Sequence, residues 1–229
     1  MVAILCIETS GEACSIAVFN RDKLIAKAER FEKNIHASAI TLLIQEALLQ
    51  AGLALNQLQA VSVSKGPGSY TGLRVGVSTA KGLCYALKIP LIAIPTLHAM
   101  AWGYKTENRI NPDALVCPMI DARRMEVYTE VMNRELQTLM ETKAEVLTEE
   151  SFKAFHHKTI HFAGSGAFKM QQFAGLFTNI TINQTFLPSA IHMGTLTWHA
   201  FEAGHFENIA YFEPFYLKDF VGTQPKRNT

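Results

Sequence analysis

The segment Ser64 to Arg74, SKGPGSYTGLR, is where this chain comes closest to a ligand-holding pattern. It sits between an apolar run and a stretch of helical character. Gly66 and Gly68 permit backbone conformations closed to other residues, and Pro67 stiffens the turn between them. Ser69 or Thr71 can cap the helix that follows. Such a turn presents backbone N–H groups and a helix N-terminus, both of which favour anions. A tight strand-to-helix turn with a purely structural role would use the same residues. No Ser-His-Asp, Cys-His or HExxH arrangement occurs that would give the chain protease chemistry. Asp121, Arg123, Arg124 and Glu126 form a second polar group and read as a charged turn between strands. His156, His157 and His161 have no carboxylate motif beside them and read as surface or packing residues.

These segments need a frame. Val2 to Ile7 is a continuous apolar run that fits a central strand. Cys14 to Phe19 and Leu24 to Phe31 follow across short turns and complete a meander. A helix is predicted over 35–51, with Ile40, Leu43, Ile44, Ala47 and Leu48 on one stripe and Gly52 as its stop. Ala60 to Ser64 is a strand, Gly72 to Leu87 a helix, Pro90 to Ile94 a strand and Thr96 to Tyr104 a helix. The polar stretch from Thr106 to Asp113 reads as a boundary, dividing the chain into residues 1–105 and 106–229. Strands then restart at Leu115 to Ile120, Glu126 to Met132 and Gln137 to Val146. Thr148 is placed as the N-cap of a helix, Ile160 to Ala163 as a strand, and 189–203 as a helix before an aromatic tail. Each half thus opens on antiparallel strands and then alternates helices with strands.

The 229 residues are 48% hydrophobic, enough for a real core, and carry a net charge of +1, so no nucleic-acid partner is demanded. No apolar run approaches the roughly 18 residues of a membrane span. The N-terminal run lacks a positive leader, so a buried strand in a cytoplasmic protein is expected. Cys6, Cys14, Cys84 and Cys117 form no CxxC pair and read as small buried hydrophobes in a reducing compartment.

The two helices of the first half carry more apolar surface than one lobe readily buries. Gly72, Gly76, Ala80 and Cys84 stand at i+4 steps and make a ridge of small side chains that another helix can approach closely. Leu42 and Leu49 lie off the stripe of the first helix. A third layer from the same chain, such as the C-terminal tail, could cover this excess, or a partner could. Two such helices, each roughly 22 Å long, could supply much of the roughly 800 Å² per partner of a standard interface.

The segment Gly66 to Arg74 resembles the signature of the TsaB (YeaZ) family. Ile4 to Ser10, Asp121 to Tyr128 and Pro214 to Lys218 resemble the same family in the same order. The resemblance implies an α/β, two-lobed actin-like ATPase (ASKHA) fold, each lobe a mixed sheet with β-β-β-α-β-α order, the second lobe reduced. It implies a non-catalytic scaffold that activates the paralogue TsaD in threonylcarbamoylation of adenosine 37 of tRNA. A TsaE-like ATPase would join the complex, the chain would pair with itself when alone, and tRNA would be reached indirectly. The pairing surface is then expected at Ala39, Leu42, Leu43, Glu46 and Leu49 of the first helix and at Gly72, Gly76, Thr79, Ala80, Leu83 and Cys84 of the second. TsaD proteins carry two metal-binding histidines four apart; here His98 matches the first and Trp102 stands at the second, so no metal and no catalytic residue is expected. Actin-like ATPases hold nucleotide with an acid and hydroxyls after the first strand. Glu8, Thr9 and Ser10 occupy that place, and Gly66, Gly68, Ser69, Gly164 and Gly166 could complete a residual nucleotide or anion cleft. Asp121-Ala122-Arg123 lacks the glycine of a second phosphate loop, so ATP or ADP is expected to bind weakly or at an interface. The charged turn around it could contact the partner or tRNA. The rival readings are an actin-like small-molecule kinase or carbamoyl-type transferase, which needs both phosphate loops intact, and more remotely a glycoprotease-like peptidase.

Overall fold

A computed structural model describes residues 1–32 and 35–218. The mildly basic stretch from Lys218 to Arg227 lies, after Lys218, outside the described residues. β1 (Ala3–Glu8), β2 (Cys14–Asn20) and β3 (Lys23–Arg30) form the predicted antiparallel meander. β4 (Leu58–Ser64) and β5 (Leu91–Ile94) add in parallel, and the sheet order is β3-β2-β1-β4-β5. Every residue of β1 is buried because both faces of the strand are covered. Ala3, Leu5 and Ile7 face α1 (His36–Ala51) and α2 (Tyr70–Leu87), while Ile4 and Cys6 face the opposite layer. Gly52 closes α1 with φ 66°, as its position predicted. α2 starts two residues before Gly72, because Ser69 is its N-cap and accepts the Gly72 N–H at 3.2 Å.

The second half repeats this topology. β6 (Leu115–Asp121), β7 (Glu126–Met132) and β8 (Thr138–Val146) form a meander, and β9 (Thr159–Ala163) and β10 (Asn179–Asn183) add in parallel to give β10-β9-β6-β7-β8. The crossovers differ from the sequence reading. Thr148 caps no helix; its N–H donates to Ser151 Oγ at 3.0 Å, and only a 3-10 turn, Lys153–Phe155, follows. Ala167–Leu176 is wound as 3-10, and the helix placed over 189–203 is a 3-10 turn, Ala190–Met193, leading into α4 (Gly194–Glu202). β10 was not expected. The chain thus has the two-lobed actin-like ATPase fold, with a second lobe whose crossovers are shortened.

α3 (Thr96–Glu107) runs through the boundary expected at 105/106. Its Leu97, Met100, Ala101 and Tyr104 pack on Val116, Ile120 and Met132 of the second sheet. The C-terminal helical segment goes the other way, with Ala190, Met193 and Leu196 packed on Ile4, Cys6, Phe19 and Ile92 of the first. Each half of the chain therefore completes the core of the other. All four cysteines are free and buried. Burial pushes the Cys6 thiol up to about 12 and those of Cys14 and Cys84 up to about 11, so they are neutral apolar groups. Among the described residues no helix is long and apolar enough to cross a membrane.

Candidate functional site

The segments singled out in the sequence converge on one cleft of about 780 Å³. Its walls are Ser10–Glu12, Pro67–Gly72, Ile120–Arg123, Ser165 and the C-terminal stretch Phe215–Lys218.

The acid expected to face a nucleotide does not reach this cleft. Glu8 is fully buried. Its Oε1 accepts the Ser10 N–H at 2.6 Å and the Ser64 hydroxyl at 2.9 Å, and its Oε2 is buried without a partner among the described residues. Burial pushes the carboxyl above its ordinary range, against hydrogen bonds from Ser10 and Ser64 that pull it down. The folded chain thus holds this proton more tightly than the unfolded chain. The stabilisation is complete below the ordinary glutamate pKa and is lost as pH rises through the raised one. Glu8→Gln is therefore expected to melt with the parent near pH 4.5 and above it at neutral pH. Each ~1 kcal/mol relieved raises Tm by about 3 °C. Thermal melts at the two pH values check this, and a variant that melts lower at neutral pH would contradict it.

Thr9 is also buried. Its hydroxyl donates to the Gly72 carbonyl at 2.8 Å, and a Cβ at Gly72 or Gly76 would lie 2.0 or 2.2 Å from Thr9. The ridge Gly72, Gly76, Ala80 and Cys84 is thereby corrected as a pairing surface: all four residues are buried, and they seat α2 on its own sheet. Ala39 and Leu43 are corrected likewise, being buried under α1. Leu42, Glu46, Leu49, Thr79 and Leu83 remain accessible. Leu42 and Leu49 are 65% and 82% exposed, and Tyr85 of α2, missed in the sequence, is 81% exposed. Glu46 pairs with Arg30 at 3.1 Å.

Close packing within the chain accounts for the glycines of both turns. The Ser69 N–H donates to the Ser10 carbonyl at 2.7 Å, and a Cβ at Gly68 would sit 2.5 Å from that oxygen. Gly66, at φ 112°, passes under the C-terminal stretch, where a Cβ would lie 2.5 Å from the Phe215 carbonyl. The Gly164 and Gly166 N–H groups are taken by the Asn183 and Met119 carbonyls at 2.9 and 3.0 Å. Neither presents a free donor to a nucleotide, and only Ser165 between them reaches the cleft.

Sequence reasoning marked Pro214 to Lys218 as a family segment without giving it a place. It is a strap. Phe215 N–H donates to the Lys65 carbonyl at 2.7 Å, and Lys81 Nζ to the Phe212 carbonyl at 2.9 Å, so the tail partly supplies the third layer weighed for α2. Tyr216 packs at a tilt of 38° against Tyr70 with centroids 4.8 Å apart, and its hydroxyl accepts Arg74 Nε at 3.2 Å. Lys218 then reaches across to pair with Glu126. Below that turn the buried Lys169 pairs with Asp121 and donates to the Glu126 carbonyl at 2.8 Å. His98 is partly buried and lies 3.0 Å from Glu130, which also accepts the Thr138 and Thr142 hydroxyls. Burial pushes Glu130 up, but these hydrogen bonds outweigh it and hold the carboxyl below its ordinary value. Among the described residues no group of three or more His, Cys, Asp or Glu side chains could hold a metal ion.

Residues 30–223 match the family model of TsaD, tRNA N6-adenosine threonylcarbamoyltransferase. The chain is 31% identical to the tRNA threonylcarbamoyladenosine biosynthesis protein TsaB of Haemophilus influenzae, over 96% of this chain and 95% of that one. It is 29% identical to TsaB of Escherichia coli, over 95% of each. The solved structure of YeaZ from Pseudomonas aeruginosa is 25% identical, with a TM-score of 0.75, and the match covers 95% of this chain and 100% of that one.

Proposed function

This chain belongs to the TsaB family of tRNA threonylcarbamoyladenosine biosynthesis proteins, and we propose that within that synthesis it is a non-catalytic scaffold that docks and activates a TsaD homologue. The observation that carries this reading is the outer face of α1 and α2. Leu42, Leu49 and Tyr85 expose large apolar groups on two helices already seated on their own sheet. Exposed apolar surface of this kind marks a protein contact, and aromatic and aliphatic anchors concentrate its binding energy. Glu8 supports the non-catalytic part, because a sealed acid cannot organise a metal–nucleotide complex. On this reading ATP or ADP binds the isolated chain weakly, or only at a shared interface. The chain alone pairs with itself through the same face, and a TsaE-like ATPase joins the assembled pair.

The test is a reconstituted modification assay with TsaD from the same organism, with and without this chain. Equal modification in its absence would sink the activator reading. Leu49→Arg is expected to weaken pairing about 100-fold on titration, since a hot-spot loss is about 2–4 kcal/mol. Its Tm is expected to stay within about 1 °C of the parent, because the side chain is 82% exposed.

A further inference from the structure

We propose that the rim of the cleft is a direct contact site for the sugar–phosphate backbone of an RNA strand. This goes beyond the scaffold reading, which needs no RNA contact from this chain. The first observation is the turn between β6 and β7. Arg123 and Arg124 both lie in the left-handed region, at φ 68° and 49°, a conformation that glycine or asparagine takes readily and arginine does not. Strain of this kind collects where side chains must be aimed. Both side chains are exposed, and among the described residues neither guanidinium has a hydrogen bond or an ion pair. The two carboxylates flanking the pair are already engaged: Asp121 by Lys169 and by the Arg123 N–H, Glu126 by Lys218. The turn therefore presents two uncompensated cations.

The second observation lies on the facing wall. Arg74 is exposed and held over the Tyr70 ring at 4.2 Å, while its Nε donates to Tyr216. Tyr70 and Tyr216 line the same cleft as Arg123. Cations beside aromatic rings are the chemistry by which proteins hold single-stranded nucleic acid: guanidinium groups on phosphates, rings under bases. Of the cleft's lining acids other than Asp121, Glu12 is one, and Glu213 lies near Arg74. A mononucleotide triphosphate fits less well. Glu8 is sealed below the floor, and the loop N–H groups of Ser69, Gly164 and Gly166 are spent within the chain.

The experiment titrates a labelled tRNA anticodon stem-loop with the full chain, alone and with its TsaD homologue, at several salt concentrations. Arg123→Glu with Arg124→Glu is expected to weaken binding at least about 10-fold at ~0.1 M salt. The log–log salt slope should fall by about 1.4, as two phosphate contacts at ~0.7 each are lost. Tyr216→Ala is expected to weaken binding without changing the slope. Arg123→Gly with Arg124→Gly guards against a folding artefact. It relieves the left-handed strain, so it should melt above the parent and still lose RNA affinity. Gel filtration with the TsaD homologue separates this proposal from the scaffold reading, because the variants should still pair. Unchanged RNA affinity and slope would overturn the proposal. So would loss of pairing with RNA binding intact, which would give the rim to a protein partner instead.

Discussion

A Gly72→Ala variant is expected to lose ~3 kcal/mol or more and to melt about 10 °C below the parent. The sign is the informative part. Alanine is the better helix former by about 1 kcal/mol, so in a free helix this substitution would stabilise. Here the added Cβ would stand 2.0 Å from the Thr9 carbonyl oxygen, a backbone atom fixed by the β1–β2 turn. Either α2 lifts from the sheet or the turn moves, and both break the bond from Thr9 to Gly72. Gly82 of the same helix is the control: nothing lies within 4 Å of a Cβ there. Gly82→Ala is expected to follow propensity and raise Tm by about 2–3 °C. Opposite shifts in paired thermal melts check the claim, and two rises would show that α2 is not seated as described. The same seating means that a charge at Ala80, which is fully buried, would report on folding and not on partner pairing. Leu49 is the position to probe for pairing.

The second large effect concerns the pair below the arginine turn. Lys169 is buried, its side chain 4% exposed, while that of Asp121 is 40% exposed. Removing the partner of a buried charge costs more than removing the charge itself. Asp121→Ala is therefore expected to cost ~2–3 kcal/mol, discounted for the water that reaches Asp121 and for the Glu126 carbonyl that Lys169 keeps. Lys169→Met leaves only a solvated carboxylate and is expected to cost under ~1 kcal/mol. The double variant should melt close to Lys169→Met, a coupling that denaturant titrations of the four proteins would measure. Equal losses from the two single changes would show that the lysine is not held as a buried charge.

Much of the frame was legible in the sequence, for identifiable reasons. The unbroken apolar run of β1 required cover on both faces, and it has it. Gly52 and Ser69 act at helix ends as their chemistry requires. β10 escaped notice because NITIN is short, half polar and lies at a sheet edge, where one side of the strand needs no apolar partner. The 3-10 crossovers of the second lobe escaped because Ala167 to Leu176 has ordinary helix formers, and residue type does not separate 3-10 from α winding. The ridge Gly72 to Cys84 shows the limit most clearly. Periodicity identifies a face made for close approach, but not what approaches it. Here that is Thr9 and β1 of the same chain. The strap had no periodicity at all, and its role depends on contacts with Lys65 and Glu126, roughly 150 and 90 positions away in sequence.

The reciprocal placement of α3 and α4 has a mechanical consequence. In a two-lobed molecule the large motion open to the chain is a swing of one lobe against the other. Here α3 leaves the first sheet to fill the core of the second, and the C-terminal helical segment returns to fill the first. A swing would have to shear both layers at once, and the strap from Phe212 to Lys218 would have to detach as well. The molecule is cross-braced. On the scaffold reading, that stiffness would hold the docking face in one shape.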